Sequence, residues 1–263
     1  CNAAHIPAYK AMGDKVKIVA VADIREEAAK ETAERHGIPK YYVDPYKMLE
    51  EEKPDIISVC TPNAYHKEYT LAGFRAGCHV VCEKPVAVTC ADAEEMFNAA
   101  EKAGKHLFVI QSLRFTGNFK AAAGLAKSGC LGDIYYADLN LVRRRGVPRW
   151  GMFHMAKENV GGAFCDLGVH MCDYLMSISG NPKMVSVSGS AVTRIVNKEK
   201  NIEFSNAESG APTGLFTPRK FDMKEFDVEE FANGYIRLAQ VNLLVVLIQY
   251  LDVEAECLQF LDK

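Results

Sequence analysis

The chain has no CxxC pair, no GxGxxG run and a single tryptophan. Its nine cysteines are odd in number and sit mostly in apolar surroundings. That usage argues against a disulfide framework or a zinc site and suggests a reducing cytoplasmic setting. Asp166, His170 and Asp173 fall close together, but no second histidine lies near them, so no metal centre is expected. A net charge of −3 gives no reason to expect nucleic-acid binding. The densest basic cluster, Arg143, Arg144, Arg145 and Arg149, is short and reads as a strand edge or active-site rim rather than a phosphate-backbone footprint. The most apolar run, VNLLVVLIQYL (241–251), is too short to cross a bilayer as a helix and suits a buried strand. No signal peptide is visible, and no membrane partner is expected. Internal repeats and low-complexity tracts are missing too.

What is present is ordinary globular material: 263 residues, 49% of them hydrophobic and 25% charged. That length suffices for one large domain or two ordinary ones. The first part alternates strand and helix. KIVAVAD (17–23), the Tyr41–Tyr42 pair, DIISVC (55–60), HVVCEKP (79–85) and HLFVIQ (106–111) read as strands. REEAAKETAERHG (25–37), DPYKMLEEE (44–52), TPNAYHKEYTLAGFRAG (61–77) and TCADAEEMFNAAEKAG (89–104) read as helices or turns into helices. Asp44 and Thr89 are the expected caps, and Gly37 closes the first helix. This alternation predicts a parallel sheet covered on both faces.

Beyond about residue 112 the pattern changes. One more helix (118–129) is followed by long β-like segments at 133–144, 183–196, 227–239 and 241–251, interrupted by a helix over 165–179. The expectation is therefore α/β: a parallel-sheet domain over 1–112, then an α+β domain over 113–263 built on a mostly antiparallel sheet. The segment 197–220 is polar and turn-rich, and a mobile surface excursion is expected there. NAAHIPAYKAM reads as the middle of a helix, and QFLDK follows a strand-like segment at once. Both ends therefore suggest part of a longer chain. A strand and a glycine-rich turn would be encoded before Cys1, since that turn belongs ~20 residues before an acid such as Asp23.

Several residues could carry chemistry. Glu83, Lys84 and Pro85 follow a short apolar strand directly. Pro85 cannot donate to a ladder and restricts Lys84, so the strand ends with a lysine held in one direction. Ligands of open α/β sheets bind at such carboxyl ends. The rival reading is a solvated ion pair in a loop. Asp23 ends a strand where a dinucleotide fold places its ribose ligand, but it also fits as a helix cap. Arg25, two residues on, suits a 2′-phosphate. In CTPN, Thr61, Pro62 and Asn63 end another strand, and His66 begins the next helix as a cofactor contact, a cap or a packing residue. Asp166 and His170, four apart, share one helix face and can form a proton relay. Alternatively Asp166 caps the helix and His170 is a satisfied, half-buried residue. Arg143–Phe153, with Trp150, suits a polyhydroxylated ring or is an ordinary strand edge and loop.

Taken together, VADIREE, CTPNAYH, EKPVAV, QSLRF and GGAFCDLGVHMCDYL resemble, in order and spacing, the Gfo/Idh/MocA oxidoreductases. The resemblance runs from about His5 to about Ala232. It implies an N-terminal Rossmann dinucleotide-binding domain, here without its first strand and Gly-rich loop, and a C-terminal α+β domain with a large, mostly antiparallel open sheet that supports homodimers or homotetramers. It implies Lys84 as catalytic lysine, His170 as acid/base and Asp166 as its substrate-binding or relay partner. Asp23 would bind the ribose. Arg25, Thr61, Pro62, Asn63, His66, Glu83 and Gln111 would line the cofactor, NAD or alternatively NADP. Arg114 and Trp150 would join Lys84, Asp166 and His170 around a small sugar or polyol substrate. The implied activity is hydride transfer between nicotinamide and a secondary alcohol or ketone. The alternatives are NAD-dependent redox-assisted glycoside cleavage and a non-catalytic dinucleotide-binding sensor.

Overall fold

Tyr41–Tyr42 gives the preceding strand its only ladder partner among the described residues. In this computed structural model, residues 1–143, 152–193, 223–239 and 243–250 are described. Trp150 and most of the Arg143–Phe153 block, residues 194–196, the 197–220 segment, and residues 241, 242 and 251 of the last apolar run lie outside them. Contacts divide the chain into two units, Cys1–Ile110 and Gln111–Lys263.

In the first unit, β1 (Val21–Ala22) pairs in parallel with β2 (Tyr41–Tyr42). The expected strand over 17–23 is thus reduced to two residues. Its ladder extends only as far as Val21 N to Lys40 O and Asp23 N to Tyr42 O, both 3.2 Å. A second parallel sheet has the order β3 (Ile56–Val59), β4 (His79–Cys82), β5 (Leu107–Val109). The helices are α1 (His5–Ala11), α2 (Glu26–His36), α3 (Pro45–Glu52), α4 (His66–Arg75) and α5 (Cys90–Ala103). The helix expected to run through NAAHIPAYKAM begins only at His5.

Local chemistry sets the helix ends. Asp44 accepts from Tyr46 N at 2.8 Å with Pro45 at the first helical position, and Thr89 accepts from Asp92 N at 3.1 Å. Gly37 closes α2 at φ +59°, the left-handed conformation that favours glycine. The middle strand β4 carries the core. Val80 and Cys82 are fully buried, packed with Val59, Phe74 of α4, and Met96 and Ala100 of α5.

In the second unit, α6 (Gly117–Lys127), α7 (Ala156–Asn159) and α8 (Val169–Ile178) accompany four strands. These are β6 (Tyr136–Arg143), β7 (Met184–Val192), β8 (Phe231–Leu238) and β9 (Leu243–Tyr250), in the order β6-β9-β8-β7. The β7–β8 and β8–β9 pairs are antiparallel, but β6 and β9 run parallel, with Tyr136 opposite Leu243. β8 alternates as a one-sided strand should: Ala232, Gly234, Ile236 and Leu238 are buried, and the residues between them are not. Ile236 and Leu238 pack with Phe226 and Val228 against Ala163, Leu167, Met171 and Leu175, a stripe at four-residue spacing.

Candidate active site

In the first unit the site residues gather at the carboxyl ends of β3 and β4. Glu83 N donates to Val59 O at 3.0 Å, the last rung before Pro85, and the Lys84–Pro85 peptide is cis. The Glu83 carboxylate is engaged through both oxygens. Oε1 lies 2.7 Å from His5 Nε2, and Oε2 accepts the Lys84 backbone N–H at 3.2 Å. Hydrogen bonds to Cys60 and then to Glu83 raise His5 to about 9, against burial. Burial pushes Glu83 upward, but the bond from His5 and the neighbouring positive charges outweigh it and hold the carboxyl below its ordinary value.

His66 is fully buried, with Nδ1 2.7 Å from Pro85 O and Nε2 3.0 Å from Thr61 O. It therefore ties the CTPN turn to the EKP turn. Burial lowers its pKa, against the opposing effect of the contacts with the Pro85 and Thr61 carbonyls. Pro62 leads into a 3₁₀ turn, Asn63–Tyr65, with Asn63 buried. The Thr61 hydroxyl is buried without a hydrogen-bond partner among the described residues.

Asp23 sits at the end of β1. Its Oδ1 accepts from Arg25 N at 2.9 Å and from Arg25 Nε at 3.3 Å. The residue at the cap position of α2 is Arg25, which corrects the reading of Asp23 as that cap. The buried Cys82 thiol is pushed up to about 12 by desolvation, which makes it a packing group rather than a nucleophile.

In the second unit, Asp166 lies in a π-helical turn, Phe164–Gly168, that runs directly into α8 with His170. The helix starts before Asp166, so Asp166 is not its cap. Glu229 does that work: its Oε2 accepts from Gly162 N at 2.8 Å and its Oε1 from Phe164 N at 2.9 Å. The Glu229 carbonyl also accepts from Ala163 N at 2.9 Å. His170 Nδ1 is 3.2 Å from Gln111 Oε1. Arg114 grips Asp173 through Nε at 2.7 Å and Nη2 at 2.5 Å. Gln111 and Arg114, expected as cofactor and substrate contacts, are thus both bonded to α8.

Sequence reasoning missed three supports. His5 was visible only as part of a helix. Nothing local marks Glu229, the second of the three acids Asp227, Glu229 and Glu230. Gly162 had a signal in the GG of GGAF: a Cβ there would come within 1.9 Å of the Glu229 carbonyl oxygen.

A parallel sheet with a lysine at its central strand end, followed by a mixed-sheet unit with an Asp/His helix, is the arrangement of a Rossmann-type α/β class with a second α+β domain. Two family models match: the oxidoreductase family with NAD-binding Rossmann fold over residues 1–111, and the GFO/IDH/MocA C-terminal domain over 119–248. The chain belongs to the Gfo/Idh/MocA oxidoreductase family. It is 36% identical over 230 residues to the D-glucoside 3-dehydrogenase of Escherichia coli (strain K12), covering 87% of this chain and 63% of that protein. Against the myo-inositol 2-dehydrogenase of Thermotoga maritima it is 31% identical over 169 residues, 64% of this chain and 49% of the relative. The chain therefore spans about half to two thirds of the length of these relatives. Among solved structures, the aldose-aldose oxidoreductase from Caulobacter crescentus complexed with glycerol matches with a TM-score of 0.72 at 24% identity, over 93% of this chain and 66% of that one. GenD2 from gentamicin A biosynthesis, in complex with NAD, matches with a TM-score of 0.76 at 19% identity, over 95% and 63%. Both share the fold. Among the described residues, no helix is long and apolar enough to cross a membrane.

Proposed function

We propose that the protein transfers hydride between a nicotinamide dinucleotide and a secondary ring hydroxyl, or the matching ketone, of a sugar, glycoside or cyclitol. The observation that carries this reading is Lys84 at the carboxyl end of β4, the middle strand of a parallel sheet, on a turn bonded on both flanks. The names of the two curated relatives, a glucoside 3-dehydrogenase and an inositol 2-dehydrogenase, each specify a secondary ring hydroxyl and support the substrate class.

The residues present suit a dinucleotide. Thr61 offers a buried hydroxyl with no partner among the described residues, and Asp23 offers a carboxylate to ribose hydroxyls. The Asp23 charge opposes a 2′-phosphate, and Arg25 is already turned onto Asp23, so NAD is favoured over NADP. When bound, the nicotinamide supplies the hydride acceptor. The positive charge of Lys84 stabilises the negative charge growing on the substrate oxygen. His170 takes the hydroxyl proton, with its ring oriented through Nδ1 by Gln111. Asp166, four residues before His170 on the same run of helix, binds substrate or relays that proton. Trp150 is proposed to stack on the apolar face of the ring. A homodimer or homotetramer formed through the C-terminal sheet, in the cytoplasm, completes the proposal.

The test is a fluorescence titration of the native protein with NADH and, separately, NADPH, followed by a screen of sugars, glycosides and cyclitols. Saturable binding that is tighter for NADH is expected, with turnover that Lys84→Ala lowers by about 10²–10⁴-fold. Binding of neither dinucleotide would overturn the reading.

A further inference from the structure

Lys84 is the middle of three successive residues that other elements hold in place. Behind it, Glu83 lies against His5, the first residue of α1, at 2.7 Å. Ahead of it, the Pro85 carbonyl lies 2.7 Å from His66, the first residue of α4. Both imidazoles are buried, 8% and 0% exposed. α1 is fastened a turn further on, where the Tyr9 hydroxyl meets the Ser58 hydroxyl of β3 at 2.6 Å. The Glu83 carboxylate is the bridge. One oxygen faces the ring of His5, and the other accepts the backbone N–H of Lys84 itself at 3.2 Å.

A half-buried carboxylate at a strand end needs partners, because an unpaired charge there is strongly destabilising. His5 could have served only to dock α1. The second Glu83 oxygen argues for more, since whatever fixes the carboxylate also fixes the Lys84 amide. We infer that His5, acting through Glu83, is a positioning residue for Lys84: it holds the lysine's backbone so that its side chain meets the substrate oxygen from one direction. The inference rests on the role given to Lys84 under the proposed function. The groups facing His5 are Glu83, Cys60 and the Tyr9 ring, which lies edge-on at 6.2 Å between centroids. Hydrogen bonding to Cys60 and Glu83 keeps the imidazole protonated at neutrality, which makes its contact with Glu83 a charge-assisted hydrogen bond.

The experiment compares His5→Leu, His5→Gln and Glu83→Gln in the native full-length protein. It reads kcat, KM, dinucleotide Kd and hydrogen exchange at the Lys84 amide. A misplacement of about 1 Å costs about 10²-fold in rate. His5→Leu is therefore expected to lower kcat by roughly 10–100-fold and to speed Lys84 amide exchange by at least about tenfold, with dinucleotide Kd within about threefold. His5→Gln, which keeps a donor for Glu83, is expected to recover most of both. Unchanged Lys84 exchange in His5→Leu, or equal kcat losses in the Leu and Gln variants, would reduce His5 to a docking residue and overturn the inference. Should His5→Leu not fold, Glu83→Gln takes its place, because it keeps the shape and removes the charge that fixes the bridge. Faster Lys84 exchange there supports the inference, and unchanged exchange overturns it. A wild-type protein that turns over no alcohol with either dinucleotide would sink the functional reading instead, while the exchange measurement still decides whether His5 holds Lys84.

Discussion

His170 Nδ1 and Gln111 Oε1 lie 3.2 Å apart. With the amide oxygen assigned to this contact, Nδ1 carries the proton and Nε2 is the acceptor side of the ring. In the proposed mechanism Gln111 thereby favours the tautomer that His170 needs as a base. Replacing it by Leu removes that selection and leaves the ring in place. Gln111→Leu should lower kcat by about tenfold or more with little change in dinucleotide Kd. Steady-state kinetics and a binding titration check this, and a kcat equal to wild type would remove Gln111 from the mechanism.

The start of the Asp166–His170 helix depends on a close approach of two backbones. A methyl group at Gly162 would meet the Glu229 carbonyl oxygen at 1.9 Å. Backbone cannot swing aside as a side-chain tip can, so Gly162→Ala should cost about 1–3 kcal/mol. Glu229→Ala leaves the Gly162 and Phe164 N–H groups without their acceptor and should cost about 1–3 kcal/mol. Urea unfolding of each variant measures both. Each variant should also lose turnover, because Asp166 and His170 ride on this helix.

Arg114 and Asp173 make a two-pronged pair, with the Arg114 side chain 44% exposed and that of Asp173 15% exposed. Solvent screens an interaction so placed, and Asp173→Asn should cost about 1 kcal/mol or less. For a chain of this size that is a fall in Tm of roughly 2–4 °C. Arg114→Lys should match it, because an ammonium cannot reproduce the planar fork. If Arg114 also binds substrate, Arg114→Lys will raise KM where Asp173→Asn does not. Paired KM and Tm measurements separate the two roles.

His5 links stability to pH. Its pKa rises from the ordinary histidine value of 6.5 to about 9 on folding, through bonds to Cys60 and Glu83. A raised folded-state pKa gives stabilisation that is complete below about pH 6.5 and is lost as pH climbs through about 9. Glu83, held low, gives stabilisation that is present above its unfolded pKa and lost as pH falls. Between pH 7 and 9.5 the folded chain should therefore lose on the order of 2–3 kcal/mol from this one group. His5→Gln should flatten that slope. Thermal melts of both proteins across the range test it, and parallel slopes would show that His5 does not titrate on folding.

Asp23 should decide the cofactor. Its carboxylate stands at the end of β1, with Arg25 drawn onto it. Asp23→Ser should weaken NADH binding by about tenfold, the effect of 1.4 kcal/mol. The same change releases Arg25 toward a 2′-phosphate and should bring NADPH binding closer to that of NADH. Two fluorescence titrations check the outcome, and an unaltered preference would place discrimination elsewhere.

Much of this was legible from short stretches of chain, because the interactions that end helices and strands are local. Asp44 and Thr89 reach donors two or three residues away, and Gly37 supplies its own left-handed turn. The Glu-Lys-Pro step announces the end of β4 because proline lacks a donor. Local pattern overreached at residues 17–23: a β-branched run becomes a ladder only where a neighbour runs alongside, and Tyr41–Tyr42 supplies two residues of it. It also offered Asp166 as a helix cap, where the structure uses Glu229, 65 residues from Phe164. The parallel pairing of β6 with β9 was equally invisible, since antiparallel and parallel neighbours can carry the same alternating residues. Above all, the sequence specified which residues carry charge, imidazole and hydroxyl, but not which of them meet. His5 and Glu83 are 78 positions apart, and Gln111 and His170 are 59 apart. A carboxylate or an imidazole accepts any partner of suitable chemistry, so only the folded backbone, by bringing one candidate within hydrogen-bond reach, decides which partner it has.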